Sequence, residues 1–346
     1  MKKGNQFGSH RVIIPKGVLP QPAEKLNNDM NEIYDNEILV DVDILNIDSA
    51  SFTQIKNAAG NDEKTIREMI LEIINIRGKM QNPVTGSGGM FIGRVNTVGE
   101  SLKNKRDIKT GDKLVSLVSL SLTPLRIDEI LEIRKDVDQV KIKGQAIIFE
   151  SGIYAKSPDD MPSSLALAAL DVCGAPPQTD RLVKPGNTVV IIGASGKSGL
   201  LCAYVAKKKG GEKGRIIGIA SSDRGQKKLE DINICNTNIK LNATDALSCY
   251  NKIHELTEGA MADVVINCVN IPNTEMSSIL MCRNRGIVYF FSMATSFTKA
   301  ALGAEGVGKD ITMIIGNGYA EGHADFTLNI LRESEKLRKL YTETYT

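Results

Sequence analysis

The apolar and polar positions change rhythm once along the chain, near residue 160. Before that point EILVDVDILNI (37–47), FIGRVNTVG (91–99) and DKLVSLVSL (112–120) read as strands bounded by turns. Residues 62–77 (DEKTIREMILEIINIR) set Ile66, Met69, Ile70, Ile73 and Ile74 at helical spacing, and Gly78 supplies a stop. This pattern predicts a surface helix over a β-core. Another helix is expected to begin near Ser51.

Beyond residue 160, short apolar strands alternate with helices. PSSLALAALDVCG opens as a helix. TVVIIG (188–193), RIIGIA (215–220), ADVVINCV (262–269), GIVYFFS (286–292) and DITMIIG (310–316) read as buried strands. SGLLCAYVAKKKG (198–210) and DRGQKKLEDI (223–232) read as helices between them. The alternation implies an α/β fold with a doubly wound parallel sheet covered on both faces. HADFTLNILRESEKLRKLY predicts a single amphipathic helix. The expected division is a β-rich domain of residues 1–158 with a returning tail, 319–346, and an inserted sheet domain, 159–318; a length of 346 residues suits two domains.

Composition changes this picture only by exclusion. The net charge of +2 makes no case for nucleic acid or an anionic membrane surface. Six cysteines, all from residue 173 onward and never spaced C-x-x-C, form neither a disulfide framework nor a zinc knuckle. The basic start MKKGNQFGSHRVIIPKG lacks the apolar stretch of a signal peptide, and no run of about 18 apolar residues occurs, so a cytoplasmic location is expected.

TVVIIGASGKSGLLCAYVAKKKG places a strand, a glycine-rich turn and a helix in order, with Gly193, Gly196 and Gly199 in the turn and Ala194 where G-x-G-x-x-G has its first glycine. Such a turn leaves backbone room for a pyrophosphate at Gly196 and lets the helix pack closely at Gly199. Gly193, Ala194, Ser195, Gly196, Lys197, Ser198 and Gly199 are therefore candidates for holding NAD or NADP. The second strand ends at Ala220, followed by Ser221 and Ser222. Asp223 arrives late and beside Arg224, so the small hydroxyls and the arginine admit a 2′-phosphate, while Asp223 could still reach back to a ribose.

With these residues in hand, the chain resembles the medium-chain dehydrogenase/reductase superfamily. PVTGSGGMFIGRVNTVG, VKPGNTVVIIGASGKSG and ADVVINCVNIPN each stand at the family's relative position. The resemblance implies a GroES-like catalytic domain, an inserted Rossmann domain, and a homodimer extended through GIVYFFS and DITMIIG. It adds Cys268 and Val269 to the cofactor contacts. HRVIIPKGVLPQPA, LNIDSASFTQI and NPVTGSGGMFIG are further similar to a zinc-free amine-dehydrogenase branch of anaerobic lysine fermentation.

Where zinc members carry G-H-E, this chain has Gly88, Gly89 and Met90; NIDSAS lacks the early cysteine ligand, Cys173 stands alone near the third, and the structural-zinc cysteines are missing. One ligand does not hold Zn²⁺, so no metal is expected. The resemblance then implies oxidative deamination of a diamino acid bearing two ammonium groups and one carboxylate, since a neutral amine expels hydride without a metal. Such a site needs a base and polar groups around a cation.

Asp48, Ser51, Asp171 and Glu321 are the catalytic candidates, and Ser49, Thr85, Ser87, Gly88, Tyr319 and His323 the substrate-binding ones. Each has a plainer reading: Asp48 as a helix cap, Thr85, Ser87 and Gly88 as turn residues, Tyr319, Glu321 and His323 as a helix start. Cys173 and His10 read as structural, and His254 as solvated. Arg11 and Arg94 are candidates for the substrate carboxylate. Two alternatives stand beside the amine dehydrogenase: a zinc-free NADPH-dependent quinone or enone reductase, against which Asp48, Asp171 and Glu321 count, and a catalytically silent NAD(P)-binding sensor.

Overall fold

In a computed structural model the chain forms two compact units, Met1–Ser163 and Ser164–Thr346. The described residues are 1–292, 294–316 and 318–346. In the first unit a small antiparallel pair, β1 (Val12–Ile14) and β2 (Lys25–Leu26), precedes the long strand β3 (Glu37–Ile47). Two helices follow, α1 (Ser49–Ala58) and α2 (Glu63–Arg77), then β4 (Gly89–Val98), β5 (Lys113–Ser116), β6 (Leu125–Arg134), β7 (Gln139–Phe149) and β8 (Tyr154–Lys156). The order β6-β7-β3-β4-β5-β8 is antiparallel throughout. α2 starts where Asp62 accepts from Thr65 N and stops at Gly78 in the left-handed region. It buries Ile66, Ile70 and Ile74 in the core that β3 and β4 build with Val40, Ile47 and Phe91. β6 and β7 escape the periodicity reading because both carry charges through their middles; β6 buries only Leu125, Ile130 and Ile133 fully.

The second unit runs α3 (Ser163–Leu170), α4 (Ala175–Leu182), β9 (Thr188–Ile192), α5 (Lys197–Gly210), β10 (Arg215–Ala220), α6 (Asp223–Ile232), β11 (Thr237–Lys240) and α7 (Ala246–Leu256). It continues through β12 (Ala262–Asn267), α8 (Glu275–Met281), β13 (Cys282–Phe290), α9 (Phe297–Gly306), β14 (Thr312–Ile315), α10 (His323–Glu333) and α11 (Glu335–Tyr345). Its six strands are all parallel in the order β11-β10-β9-β12-β13-β14, so the order reverses between β9 and β12. That reversal is where an open α/β sheet leaves its ligand crevice, at the carboxyl ends of the strands.

Two expectations need correction. The last helix is two helices: Ser334, at φ −118° and ψ 95°, interrupts the run and caps α11 by accepting from Leu337 N. Amphipathic spacing continues across the break, which is why periodicity alone misses it. Residues 319–346 also group with 164–318 rather than with 1–158, because α10 packs on α4 and α5. No helix of the described residues is long and apolar enough to cross a membrane.

Candidate active site

In the first unit β3 runs out at Ile47 and Asp48 caps α1, its Oδ1 accepting from Ser51 N at 3.0 Å. The helix-cap reading of Asp48 is therefore correct, but it accounts for one oxygen only. Asp48 Oδ2 is buried with no hydrogen-bond partner, a costly state for a carboxylate oxygen and one that invites a cation. Ser51, wholly buried, puts its Oγ 2.5 Å from Thr85 Oγ1 and 2.9 Å from Ser87 Oγ, and the last two are 3.1 Å apart. Three hydroxyls thus close a triangle that runs from buried Ser51 to exposed Thr85. Gly88 joins it to β3, its carbonyl accepting from Asp48 N at 3.3 Å.

The residue that builds this loop is Asn82, absent from the sequence-based candidates although it is fully buried. Its Oδ1 accepts from Val84 N and Thr85 N at 2.8 and 3.2 Å, its amide donates to Ser51 O and Gln54 Oε1, and its own N–H bonds Ser87 O. The Asn-Pro pair is a turn signal, but the reach back to α1 is a tertiary fact. Ser49 lies elsewhere: its hydroxyl donates to Asp138 at 2.7 Å, so its assignment to the substrate is not supported by its contacts. Arg11, expected for a carboxylate ligand, is buried and fully occupied, bonding both oxygens of Glu37 at 2.8 and 2.7 Å and the carbonyls of Asp29 and Glu32. His10 completes that structural cluster at 2.8 Å from Glu37. Arg94 is exposed and donates to Gly111 O.

In the second unit the glycine-rich turn behaves as its spacing predicts. Gly193 and Ala194 N–H groups tie back to Ile219 O, and Gly193 O accepts from Gly196 N. A Cβ at Gly199 would lie 2.1 Å from Gly193 O, so only glycine lets α5 pack this closely. Cys268 N bonds Ile192 O, and Val269 packs over Gly193. Ser222 caps α6 by accepting from Gly225 N, Ser221 and Arg224 are exposed, and Asp223 is drawn away to Lys240 at 2.7 Å. The carboxylate that could have returned to a ribose is thus engaged on β11. Asp171 pairs with Lys197 of the turn at 2.9 Å, a contact that gives a carboxylate in an apolar segment a partner.

Tyr319, Glu321 and His323 part company. His323 is buried, with Nε2 unpartnered and its pKa lowered by burial, and the Tyr319 ring meets it edge-on at 5.1 Å. Glu321 is exposed. Cys173 is a packing residue whose thiol burial pushes up to about 12, and His254 is exposed.

The N-terminal domain model of L-erythro-3,5-diaminohexanoate dehydrogenase matches residues 10–158. The enzyme of that name from Acetoanaerobium sticklandii is 60% identical over 343 residues, 99% of each chain. The one from Fusobacterium nucleatum subsp. nucleatum is 58% identical over 345 residues, 100% of each chain. The chain belongs to the L-erythro-3,5-diaminohexanoate dehydrogenase family. It is an oxidoreductase that works with a nicotinamide cofactor. Two solved structures share the medium-chain dehydrogenase/reductase fold. A mycobacterial protein complexed with NADPH has a TM-score of 0.56 and 17% identity, covering 90% of this chain and 82% of its own. An alcohol dehydrogenase from Thermotoga maritima has a TM-score of 0.56 and 18% identity, covering 89% and 85%.

At Gly89 φ is +112°, and a Cβ would stand 2.0 Å from Asn46 O and 2.8 Å from Asp48 N. The position can hold no side chain, let alone an imidazole. Among the described residues no three of His, Cys, Asp and Glu gather where a metal could bind.

Proposed function

We propose that the chain oxidatively deaminates L-erythro-3,5-diaminohexanoate at C3, giving 5-amino-3-oxohexanoate and ammonia, with NAD⁺ or NADP⁺ as acceptor and no metal. The observation that carries this reading is the buried, unpartnered Oδ2 of Asp48, the residue whose other oxygen caps the helix of Ser51 and so stands next in the chain to three linked hydroxyls. A carboxylate oxygen in that state suits an ammonium and repels the developing negative oxygen of a reduced enone.

Asp48 holds the C3 ammonium through Oδ2 while Oδ1 stays on Ser51 N. Ser51, Ser87 and Thr85 hand the released proton outward, since each hydroxyl both donates and accepts. Residues 193–199 would hold the oxidised nicotinamide dinucleotide, which would supply the hydride acceptor for an amine carbon; hydrolysis of the oxidised amine by water would then release ketone and ammonium. Asp171 is committed to Lys197 and Glu321 is exposed, so Asp48 is the acid assigned to the reacting amine. Ser221, Ser222 and Arg224 meet the adenosine ribose or its 2′-phosphate. We also propose a homodimer on the outer edge of β14, which among the described residues pairs with β13 alone.

The test is purified protein with L-erythro-3,5-diaminohexanoate and NAD⁺ or NADP⁺ at mildly alkaline pH, following reduced cofactor and ammonia. Absence of both products sinks the proposal, and reduction of enones or quinones instead would establish the reductase.

A further inference from the structure

A dinucleotide pyrophosphate is met by the backbone N–H groups of a glycine-rich turn, so the carbonyls of that turn must point elsewhere and find donors within the protein. Two of them do so outside the turn. Ser195 O accepts from Lys228 Nζ at 3.4 Å, and Lys197 O accepts from the hydroxyl of Tyr341 on α11. Tyr341 is fully buried, and burial raises its pKa, keeping the phenol a neutral donor. One helical turn later the Tyr345 ring lies 5.0 Å from that of Tyr341, with Lys197 Nζ 5.7 Å and Lys228 Nζ 5.6 Å from its centroid. Asp171 holds the Lys197 ammonium at 2.9 Å. The rear of the turn is thus gripped at both carbonyls and at both neighbouring lysines.

We propose that α11 is a strap that orients the cofactor turn, with Tyr341 a positioning residue for the dinucleotide and Tyr345 its support. This rests on the cofactor reading of residues 193–199. Lys197 O opens the hydrogen-bond ladder of α5, so the phenol is a second donor that fixes the start of that helix against α11; without it the turn that leads into α5 is held less firmly.

Tyr341→Phe keeps the ring and removes one oxygen; Tyr345→Leu removes the support without emptying the core. NADH and NADPH fluorescence titrations of the full-length variants, with steady-state kinetics, give the answer. Expected is a rise of about tenfold in cofactor Kd and KM, the loss of one hydrogen bond to the turn, with kcat recovered at saturating cofactor and the amine KM unchanged. If cofactor Kd and KM match the wild type while only the melting temperature falls, α11 is structural and the strap is overturned. If the wild-type chain binds neither NADH nor NADPH, the cofactor reading itself fails and the strap with it.

Discussion

Asp48 divides its carboxylate between two tasks, a cap made by Oδ1 and an unpaired Oδ2. Asparagine caps a helix as well as aspartate does, so Asp48→Asn isolates the second task. It is expected to lower kcat by about a hundredfold or more with unchanged NADH affinity; a wild-type kcat removes Asp48 from the chemistry. Gly89 is determined by backbone geometry rather than by a vanished ligand. Gly89→Ala forces a Cβ against Asn46 O at φ +112° and is expected to cost about 3 kcal/mol in denaturant unfolding. Lys79 is fully buried, its Nζ donating to Pro20 O and Gln21 O, and burial followed by the charge of Arg77 lowers its pKa to about 8. The folded-state value lies below the unfolded 10.5, so between them the unfolded chain binds more protons. Stability attributable to Lys79 therefore rises as pH increases from about 8 toward 10.5. Urea midpoints across that window should climb, and Lys79→Met should flatten the climb.

At the scale of elements, the segment before β3 is held by the Arg11–Glu37–His10 cluster. Burial alone would raise the pKa of Glu37, but the bonds from Arg11 and His10 outweigh it and hold the value below the ordinary carboxylate range. A lowered folded-state pKa gives stability that is present above the unfolded value and lost as pH falls through the folded one. Arg11→Met leaves buried Glu37 with only His10 and the Tyr34 N–H and should cost about 3 kcal/mol, read from denaturant midpoints, with most of that cost relieved in acid as Glu37 protonates. Strong periodicity made some elements legible: the strand at 37–47 and the helix at 62–77 fall within a residue of their observed limits. β6 and β7 were not legible, because strands with one solvated face and interior charges imitate loops.

For the whole molecule, the nucleotide half announces itself because strand, turn and helix are contiguous and each glycine answers a local steric demand. Any ligand that binds only the folded state stabilises it by mass action. NADH at a hundred times its Kd should raise unfolding free energy by about 2.7 kcal/mol, and an unshifted melting curve would contradict the site at 193–199. Light scattering on the eluted protein decides the dimer, and a monomer mass overturns the β14 edge.

Residue order by itself determined the α/β class and the strand–turn–helix frame around 193–199, since periodicity and glycine spacing act within a few residues. Only the tertiary structure decided that Ser51, Thr85 and Ser87, 34 and 36 residues apart, close one hydroxyl triangle. It alone left Asp48 Oδ2 without a partner, turned Asp171 onto Lys197, and brought Tyr341 across 144 residues to the back of the turn. Hydrogen bonds over such separations depend on where the finished sheets carry their loops and helices, which no local preference encodes.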